Sequence, residues 1–299
     1  MLQIALIGAG QLGSRHLQGL ALLDRPARVT VVDPFDSSLA TAKERFAQIA
    51  QDRVEAVFTR SFADLPARLD GAVVATGADT RRAAIERLLE RSRVQVAMLE
   101  KVLFQRLDDY AAVGALLEKS GTRAWVNCSQ RLWPFFSDLR PRTLGKSDVR
   151  ITVRGAQWGL GCNAIHNLDL LPFLTGDGQL RLETALDAGT VPSKRPGFIE
   201  FTGTLSAFGE RGNRVIQTSD REGDAPFEIA VETPELQATW RNGDSTPFQS
   251  QLTHTVIAEM IDRGTSALPA YAESARMHIA MLGAFLAHLG GGATACAIT

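Results

Sequence analysis

Short apolar runs alternate with longer amphipathic segments along the first part of the chain. The runs are brief and rich in valine, which predicts buried strands at Gln3–Ile7, Arg28–Val32, Val54–Phe58, Gly71–Ala75, Val94–Leu99 and Arg123–Asn127. Between them, apolar residues recur at helical spacing, which predicts helices at Gln11–Leu23, Asp36–Ile49, Thr80–Arg91 and Asp108–Lys119. Strands that alternate with helices in this way predict a parallel sheet in a doubly wound α/β domain.

The pattern changes after Asn127. Alternating polar and apolar residues, separated by turn-rich connections, predict strands at Val149–Val153, Phe198–Ala207, Arg214–Thr218, Phe227–Val231 and Leu236–Trp240. Longer helical stretches follow near Asn163–Leu174, Phe248–Asp262 and Ala272–Leu289. We therefore expect two domains, residues 1–124 and residues 125–299. The second is predicted to be an α+β domain with a largely antiparallel open sheet.

Composition narrows the class of protein. The chain has 299 residues, of which 45% are hydrophobic and 22% charged, with a net charge of −1. This balance excludes a strongly basic field for nucleic acid or for an anionic membrane. The three cysteines form no CxxC pair, which argues against a disulfide framework or a cysteine-based zinc site and favours a reducing compartment. Because no signal peptide or membrane-spanning run is evident, we expect a cytoplasmic protein.

The first predicted strand runs into a glycine-rich turn of the form GxGxxG, with the residues Gly8, Ala9, Gly10, Gln11, Leu12 and Gly13. Its first glycine permits a tight turn, the second lets a pyrophosphate approach the backbone, and the third lets helix and strand pack closely. The start of the following helix then offers free N–H groups to phosphates. The alternative is a glycine-rich turn without a ligand. The strand and helix around the turn favour a dinucleotide site in a Rossmann-type domain.

An acidic residue supports the same site. Asp33 ends the second predicted strand, twenty residues after Gly13, where its carboxylate can bind the ribose hydroxyls of an adenosine. A carboxylate repels a 2′-phosphate, and the four residues after it include no Arg or Lys, so NAD is expected rather than NADP. Thr76 and Gly77 follow another strand at the same sheet edge and are expected to border the nicotinamide half, unless they are an ordinary strand end.

Two further groups are candidates for the chemistry. Glu100 and Lys101 follow the strand Val94–Leu99, where a partly desolvated lysine could exchange a proton near neutrality, although a solvated surface lysine would also fit. His166 and Asp169 lie three residues apart on a predicted helix and so share a face. They could form an acid/base pair, a substrate clamp or a plain helix-face hydrogen bond. A metal site is not expected, because no third ligand lies at suitable spacing.

Together these motifs resemble those of the glucose–fructose oxidoreductase and inositol dehydrogenase-like family, known as Gfo/Idh/MocA. The resemblance covers nearly the whole chain and is strongest over residues 1–175. Its segments are the glycine turn followed by His16, the pair Glu100-Lys101, the segment formed by Asn127, Arg131 and Pro134, and the stretch from Gly161 that ends in His166-Asn167-Leu168-Asp169.

The resemblance implies NAD(P)-dependent oxidation or reduction of a sugar, cyclitol, sugar acid or nucleotide sugar. It places Glu100 and Lys101 beside the cofactor, with Lys101 and His166 facing the substrate near C4 of the nicotinamide. Lys101 would exchange the hydroxyl proton while a hydride moves, and His166 would bind the same oxygen or relay the proton. Asp169 would orient His166 or hold a neighbouring hydroxyl. Asn127 and Arg131 are expected to contact the substrate.

Three departures from the family pattern bear on this expectation. Val102 replaces the usual proline after Glu-Lys, which is expected to loosen the turn that holds Lys101. Gly77 and Arg81 stand where that loop usually carries proline and histidine. Cys162 occupies the position, four residues before His166, where many relatives carry an Asp that helps bind the reacting hydroxyl. Cys162 is thus a weaker candidate substrate contact, and a non-catalytic NAD-binding sensor or scaffold of the same fold remains a second hypothesis.

Two expectations concern charge and assembly. The stretch Arg131–Arg154 contains six basic and two acidic residues, so it could hold a phosphate or carboxylate, or could be a solvated connector. The second-domain sheet is expected to have helices on one face only. Its other face would then suit a partner, which predicts a homodimer or homotetramer.

Overall fold

The computed structural model describes residues 1–49, 52–244 and 246–299. Its strands are, in chain order, β1 (Leu2–Ile7), β2 (Ala27–Val32), β3 (Val54–Thr59), β4 (Arg68–Val74), β5 (Arg93–Leu99), β6 (Arg123–Val126), β7 (Arg150–Ala156), β8 (Arg181–Leu186), β9 (Val191–Pro192), β10 (Ile199–Glu200), β11 (Gly203–Phe208), β12 (Arg214–Asp220), β13 (Glu228–Thr233) and β14 (Leu236–Arg241). Its helices are α1 (Gln11–Leu20), α2 (Asp36–Ala47), α3 (Arg81–Arg91), α4 (Leu107–Ser120), α5 (Pro134–Thr143), α6 (Leu160–Thr175), α7 (Gln249–Arg263) and α8 (Tyr271–Leu289).

The chain divides into two compact units, each assembled from more than one segment. The first unit comprises Met1–Phe104, Asp108–Asn127 and Pro247–Ala272. The second comprises Gln105–Leu107, Cys128–Thr246 and Glu273–Thr299. This differs from the single boundary expected after residue 124, because α7 returns to the first unit.

The return of α7 has a packing cause. Its apolar residues Val256, Ile257 and Met260 are buried, and leaving them in water would forfeit their burial energy. The sheet of the first unit offers room for them at Gly71, where an added Cβ would lie only 3.3 Å from the Cδ1 atom of Ile261. A Cβ at position 71 would therefore force the Ile261 side chain of α7 to shift by a few tenths of an ångström.

The first unit is built on a six-stranded parallel sheet. The strand order is β3-β2-β1-β4-β5-β6, and every neighbouring pair is parallel. Strands β1 and β2 carry almost continuous apolar runs because helices cover both faces of a parallel sheet. The order reverses between β1 and β4, and ligands of such sheets bind at the carboxyl ends of the strands at this point. The predicted doubly wound class is confirmed.

The second unit contains a six-stranded sheet of mostly antiparallel strands, in the order β14-β13-β7-β12-β11-β8. Within the described part of this sheet, only the pair β7 and β12 is parallel. Buried and less buried residues alternate along β11, β12 and β13, and α6 packs on the covered face. The predicted α+β class is confirmed. The predicted strand Phe198–Ala207 is wrong as a single element, since it is divided into β10 and β11.

No helix in the described part of the chain is both long and apolar enough to cross a membrane.

Candidate active site

The glycine turn after β1 has the geometry that a dinucleotide needs. Gly8 has a φ of +92°, and a Cβ there would lie 2.9 Å from the backbone of Thr76. A Cβ on Gly13 would lie 1.9 Å from the carbonyl oxygen of Gly8, so the start of α1 can pack against β1 only with glycine at that position. Nothing lies within 4 Å of a Cβ built on Gly10, which leaves the backbone open to a ligand.

Asp33 directly follows β2, and its carboxylate bonds to this turn. Its Oδ2 atom accepts a hydrogen bond of 2.7 Å from the N–H of Ala9, and its Oδ1 atom accepts one of 2.9 Å from Phe35. The carboxylate therefore braces the glycine turn while it lines a cavity. Gln11 contributes differently, since its side chain and carbonyl oxygens accept hydrogen bonds of 2.6 and 2.9 Å from Arg45 on α2.

The cavity beside Asp33 has a volume of about 450 Å³ and is bounded by the ends of β1, β2, β3 and β4 and by α3. Gly8, Asp33, Thr76 and Gly77 line it, as the sequence predicts for a cofactor site. The hydroxyl oxygen of Thr76 is buried and has no hydrogen-bond partner within the described residues. An orphaned hydroxyl, an uncovered glycine backbone and a carboxylate at the ribose position together fit a bound dinucleotide.

Glu100 does not line that cavity. Its Oε1 atom accepts hydrogen bonds from Nε2 of His16, at 2.8 Å, and from the side-chain amide of Asn127. The other ring nitrogen of His16 lies 2.8 Å from the hydroxyl of Thr253 on α7. Burial opposes the charge on Glu100, but these neighbours and Lys101 lower its pKa to about 2.

Two residues with predicted ligand contacts lie in this buried network. Glu100 was expected to bind the cofactor and Asn127 the substrate, yet both side chains are almost fully buried and bonded to each other. Their effect falls on the neighbouring residue, because the second carboxylate oxygen of Glu100 accepts a 3.3 Å hydrogen bond from the N–H of Lys101. We therefore infer that Glu100 and Asn127 hold the backbone of Lys101 in position.

Lys101 lies two residues after the end of β5, at the carboxyl edge of the sheet, and is half-buried. The peptide bond that joins it to Val102 is cis. The next residues, Val102, Leu103 and Phe104, have no exposed surface. Lys101 is thus a partly exposed amine between two buried segments of the first unit.

The second unit has its own cavity, of about 520 Å³, with His166 in its wall. Polar and aromatic side chains share the lining, among them Gln130, Trp133, Trp158, Asn163, Asn167, Lys194, Phe227 and Asn242. The indole of Trp158 is fixed by a 2.8 Å hydrogen bond to the carbonyl oxygen of Thr218, and its ring centroid lies 5.2 Å from that of Phe227. Apolar walls with a few fixed polar groups are typical of small-molecule sites.

Asp169 does not take part in that cavity. It has no exposed surface, and Arg131 donates to both of its oxygens at 2.6 and 2.7 Å. Arg131 also donates to Glu273 at 2.6 Å. Burial raises the pKa of Asp169 to about 6, and the Arg131 guanidinium opposes that rise.

This ion pair occupies both residues whose roles were predicted from the sequence. Asp169 was expected to orient His166, and Arg131 to contact the substrate. A buried carboxylate needs a cation, and a buried guanidinium needs acceptors, so each satisfies the other. The pair joins the segment before α5 to the middle of α6 and supports the helix that carries His166.

Cys162 lies in the first turn of α6, half-buried, with its Sγ atom 3.5 Å from the carbonyl oxygen of Gly159. The backbone N–H groups of Gly161 and Cys162 donate to the carboxylate of Glu200 at 2.6 and 3.2 Å. Glu200 therefore satisfies donors at the helix start, where a negative charge is favourable. Cys162 is absent from the residues that bound the described cavity, so its proposed contact with substrate has no support in the geometry.

Some residues that line these cavities were not among the site residues predicted from the sequence. Asn163 precedes His166 by three residues on α6, and helical spacing alone could have indicated that it shares the cavity face. Trp158 and Phe227 are 69 positions apart and only the sheet joins them. Arg60 and Arg87 also line the cavity beside Asp33, which the residues following Asp33 could not indicate.

Within the described residues, no group of three or more His, Cys, Asp and Glu side chains is arranged to hold a metal ion.

The chain is similar to known proteins in sequence and in fold. Residues 2–128 match the model of an oxidoreductase family with an NAD-binding Rossmann fold, Gfo/Idh/MocA. Among curated proteins, the chain is similar to the myo-inositol dehydrogenase Hyg17 of Streptomyces leeuwenhoekii, with 30% identity over 142 residues. That match spans 47% of this chain and only 41% of the relative.

Solved structures extend the likeness in fold to both units. An oxidoreductase from Agrobacterium radiobacter, in complex with NAD+, L-tartaric acid and magnesium, has a TM-score of 0.72 at 17% identity, covering 97% of each chain. The UDP-N-acetylglucosamine 3-dehydrogenase GnnA from Acidithiobacillus ferrooxidans has a TM-score of 0.68 at 16% identity, covering 94% of this chain and 96% of that one. At these identities the likeness shows the fold alone.

Proposed function

We propose that the protein is an NAD-dependent oxidoreductase that transfers a hydride between the nicotinamide and a hydroxyl or carbonyl carbon of a sugar, cyclitol, sugar acid or nucleotide sugar. The observation that carries this proposal is the glycine turn braced by Asp33 beside an open cavity at the strand ends of a family-matched Rossmann fold. Hyg17 is named as the dehydrogenase of a cyclitol, and GnnA as the dehydrogenase of a nucleotide sugar.

Lys101 is proposed to exchange the proton. When bound, NAD accepts the hydride that leaves the hydroxyl-bearing carbon. The Lys101 amine takes the hydroxyl proton in oxidation and returns it in reduction, so that one hydride and one proton leave the substrate together. The buried Glu100 and Val102 on either side of Lys101 hold its backbone for this role.

His166 is proposed to hold a substrate oxygen. It lines the cavity of the second unit together with the amides of Asn163 and Asn242, which suit hydroxyl groups. The rings of Trp158 and Phe227 provide an apolar wall against which the C–H face of a sugar or cyclitol ring can pack. This combination favours a polyhydroxylated ring over a purely apolar substrate.

The test is turnover on a substrate panel. The purified protein is mixed with NAD and a panel of cyclitols, sugars, sugar acids and nucleotide sugars, and formation of NADH is followed by absorbance. The reverse reaction is assayed with NADH and the corresponding ketones. We expect turnover in at least one class. A protein that binds NADH tightly yet converts no compound in either direction would instead be a non-catalytic dinucleotide-binding protein.

The proposal also includes the oligomeric state and the cellular location of the protein. The face of the second-unit sheet away from α6 carries half-buried residues such as Thr204, Ile216 and Thr218. We expect this face to pair two or four copies, and light scattering that finds only monomer at micromolar concentration would refute it. A cytoplasmic location agrees with the three cysteines, none of which forms a disulfide.

A further inference from the structure

Arg81 is an unusual residue for its position. It begins α3, yet only 2% of its surface is exposed, and it is the largest of the fully buried side chains. Taking a guanidinium out of water is costly unless its N–H groups find acceptors. The hydrogen-bond acceptors of the Arg81 guanidinium therefore indicate the role of this buried side chain.

The guanidinium bonds to the backbone of two segments. Its Nη1 atom donates to the carbonyl oxygen of Val102 and, at 3.0 Å, to that of Leu103. Its Nη2 atom donates to the carbonyl oxygen of Thr76. Val102 and Leu103 directly follow Lys101, whereas Thr76 follows β4 in the wall of the cofactor cavity. One side chain thus ties the segment that carries Lys101 to the segment that borders the cofactor.

The other side of Lys101 is held independently. Glu100 is fixed by His16 and Asn127 and accepts the N–H of Lys101. Further along, the Tyr110 hydroxyl donates to the carbonyl oxygen of Phe104 at 3.0 Å. Among the described hydrogen bonds, Arg81 is the charged side chain that supports the backbone between these anchors.

We propose that Arg81 is a positioning residue for Lys101, fixing the segment after the lysine against the cofactor-binding loop. The three carbonyls are bonded by two separate nitrogens of a rigid planar guanidinium, and the single nitrogen of a lysine ammonium does not span the same positions, so lysine should replace it only in part. The expected loosening of the Lys101 turn by Val102 is then offset by this side chain. The consequence for catalysis rests on the proposed function, whereas the placement of Lys101 does not.

The test compares Arg81→Met and Arg81→Lys with a matched control, Arg82→Met. Arg82 is the next residue of α3, but it pairs with Glu86 and Asp109 near the surface and has no bond to the Lys101 segment. Labelling of lysines by an amine-specific reagent, read by mass spectrometry, reports the surroundings of the Lys101 amine without any need for turnover. Lys119 serves as the internal reference, and thermal melting confirms folding.

We expect Arg81→Met to change the labelling rate of Lys101 relative to Lys119 by more than about fivefold, since amine reactivity follows desolvation and neighbouring groups. Arg81→Lys should give a smaller change, and it keeps the test available if the methionine variant does not fold. Arg82→Met should leave the ratio unaltered. An unchanged ratio in a folded Arg81 variant, or an equal change in Arg82→Met, would overturn the proposal.

Turnover tests the effect of Arg81 on catalysis separately from its effect on the placement of Lys101. On a substrate of the wild-type protein, Arg81→Met should lower kcat by about a hundredfold with little change in KM, because small displacements of a catalytic group cost about this much. A wild-type protein without turnover would reject the proposed function, while the labelling ratio would still decide the placement of Lys101. A normal kcat together with altered labelling would show that Arg81 does not position the lysine for catalysis.

Discussion

Each unit contains a buried carboxylate close to a candidate catalytic residue, but the two are held in different ways. In the first unit, Glu100 is bonded to the imidazole of His16 and to an amide, and its pKa is lowered to about 2. In the second unit, Asp169 is gripped by Arg131, and its pKa is raised to about 6.

The contrast shows that burial alone does not set the charge of a carboxylate. Desolvation is the largest single influence on both carboxyl groups, and by itself it would raise the pKa of each. Around Glu100 every other contribution favours the ionised form. Around Asp169 the nearby Glu273 adds to the rise that Arg131 opposes. Both acids are almost fully buried, so we infer that each acts by holding its neighbours in place.

The largest effect on stability should come from breaking the pair in the second unit. Arg131→Met leaves Asp169 buried without its cation and should lower the free energy of unfolding by about 3–5 kcal/mol. Denaturant unfolding, followed by fluorescence, measures the loss. The double variant Arg131→Met with Asp169→Leu removes both charges and should recover much of it. A loss below about 1 kcal/mol in the single variant would show that the pair does not support the unit.

A smaller effect is expected in the network of the first unit. Glu100→Gln keeps the size of the side chain but removes the charge that His16 stabilises, and should cost about 1–3 kcal/mol at neutral pH. Because the folded pKa of about 2 lies below the ordinary 4.5, the contribution of Glu100 is complete above about pH 4.5. It is lost as the pH falls toward 2.

The measurement is therefore a pair of denaturation series for wild type and Glu100→Gln at several pH values. The difference between them should shrink steadily below about pH 4.5. The matched control is Glu55→Gln, an exposed glutamate paired with Arg28 on the neighbouring strand, which should have little effect. A difference that stays constant with pH would show that the charge of Glu100 does not contribute.

The smallest effect on stability is expected at a carboxylate that accepts hydrogen bonds from neutral donors alone. Asp33 accepts only backbone N–H groups among its described hydrogen bonds, so Asp33→Asn should fold almost normally. It should weaken NAD binding by about tenfold, because a charge-assisted hydrogen bond to the ribose becomes a neutral one. Titration with NAD and NADP measures both affinities. Equal affinities for NAD in variant and wild type would remove Asp33 from the cofactor site.

Local patterns predicted the first unit well. The first 33 residues encode the strand β1, the turn Gly8–Gly13 and the acid that follows β2, so their spacing alone indicates the cofactor site. The strand positions of the sheet were also predicted to within a few residues. Sequence alone did not place α7 in this unit, because that depends on packing against residues nearly two hundred positions earlier.

The second unit was less predictable for three physical reasons. The strand β8 lies at the sheet edge with mostly exposed side chains, so it lacks the apolar alternation that marks a strand. The helix α5 contains Pro141, a residue that usually argues against a helix. The partner of Asp169 lies 38 positions away on a different element, and no local spacing reveals it.

Replacing Lys101 tests the central proposal most directly. Lys101→Ala is compared with wild type and with Lys119→Ala, a lysine at the exposed end of α4, by measuring kcat and the dissociation constant of NAD. The account predicts that Lys101→Ala lowers kcat by about 10²–10⁴-fold and leaves NAD binding intact, while Lys119→Ala leaves both unchanged. Wild-type turnover by Lys101→Ala, or an equal loss of NAD binding, would contradict it.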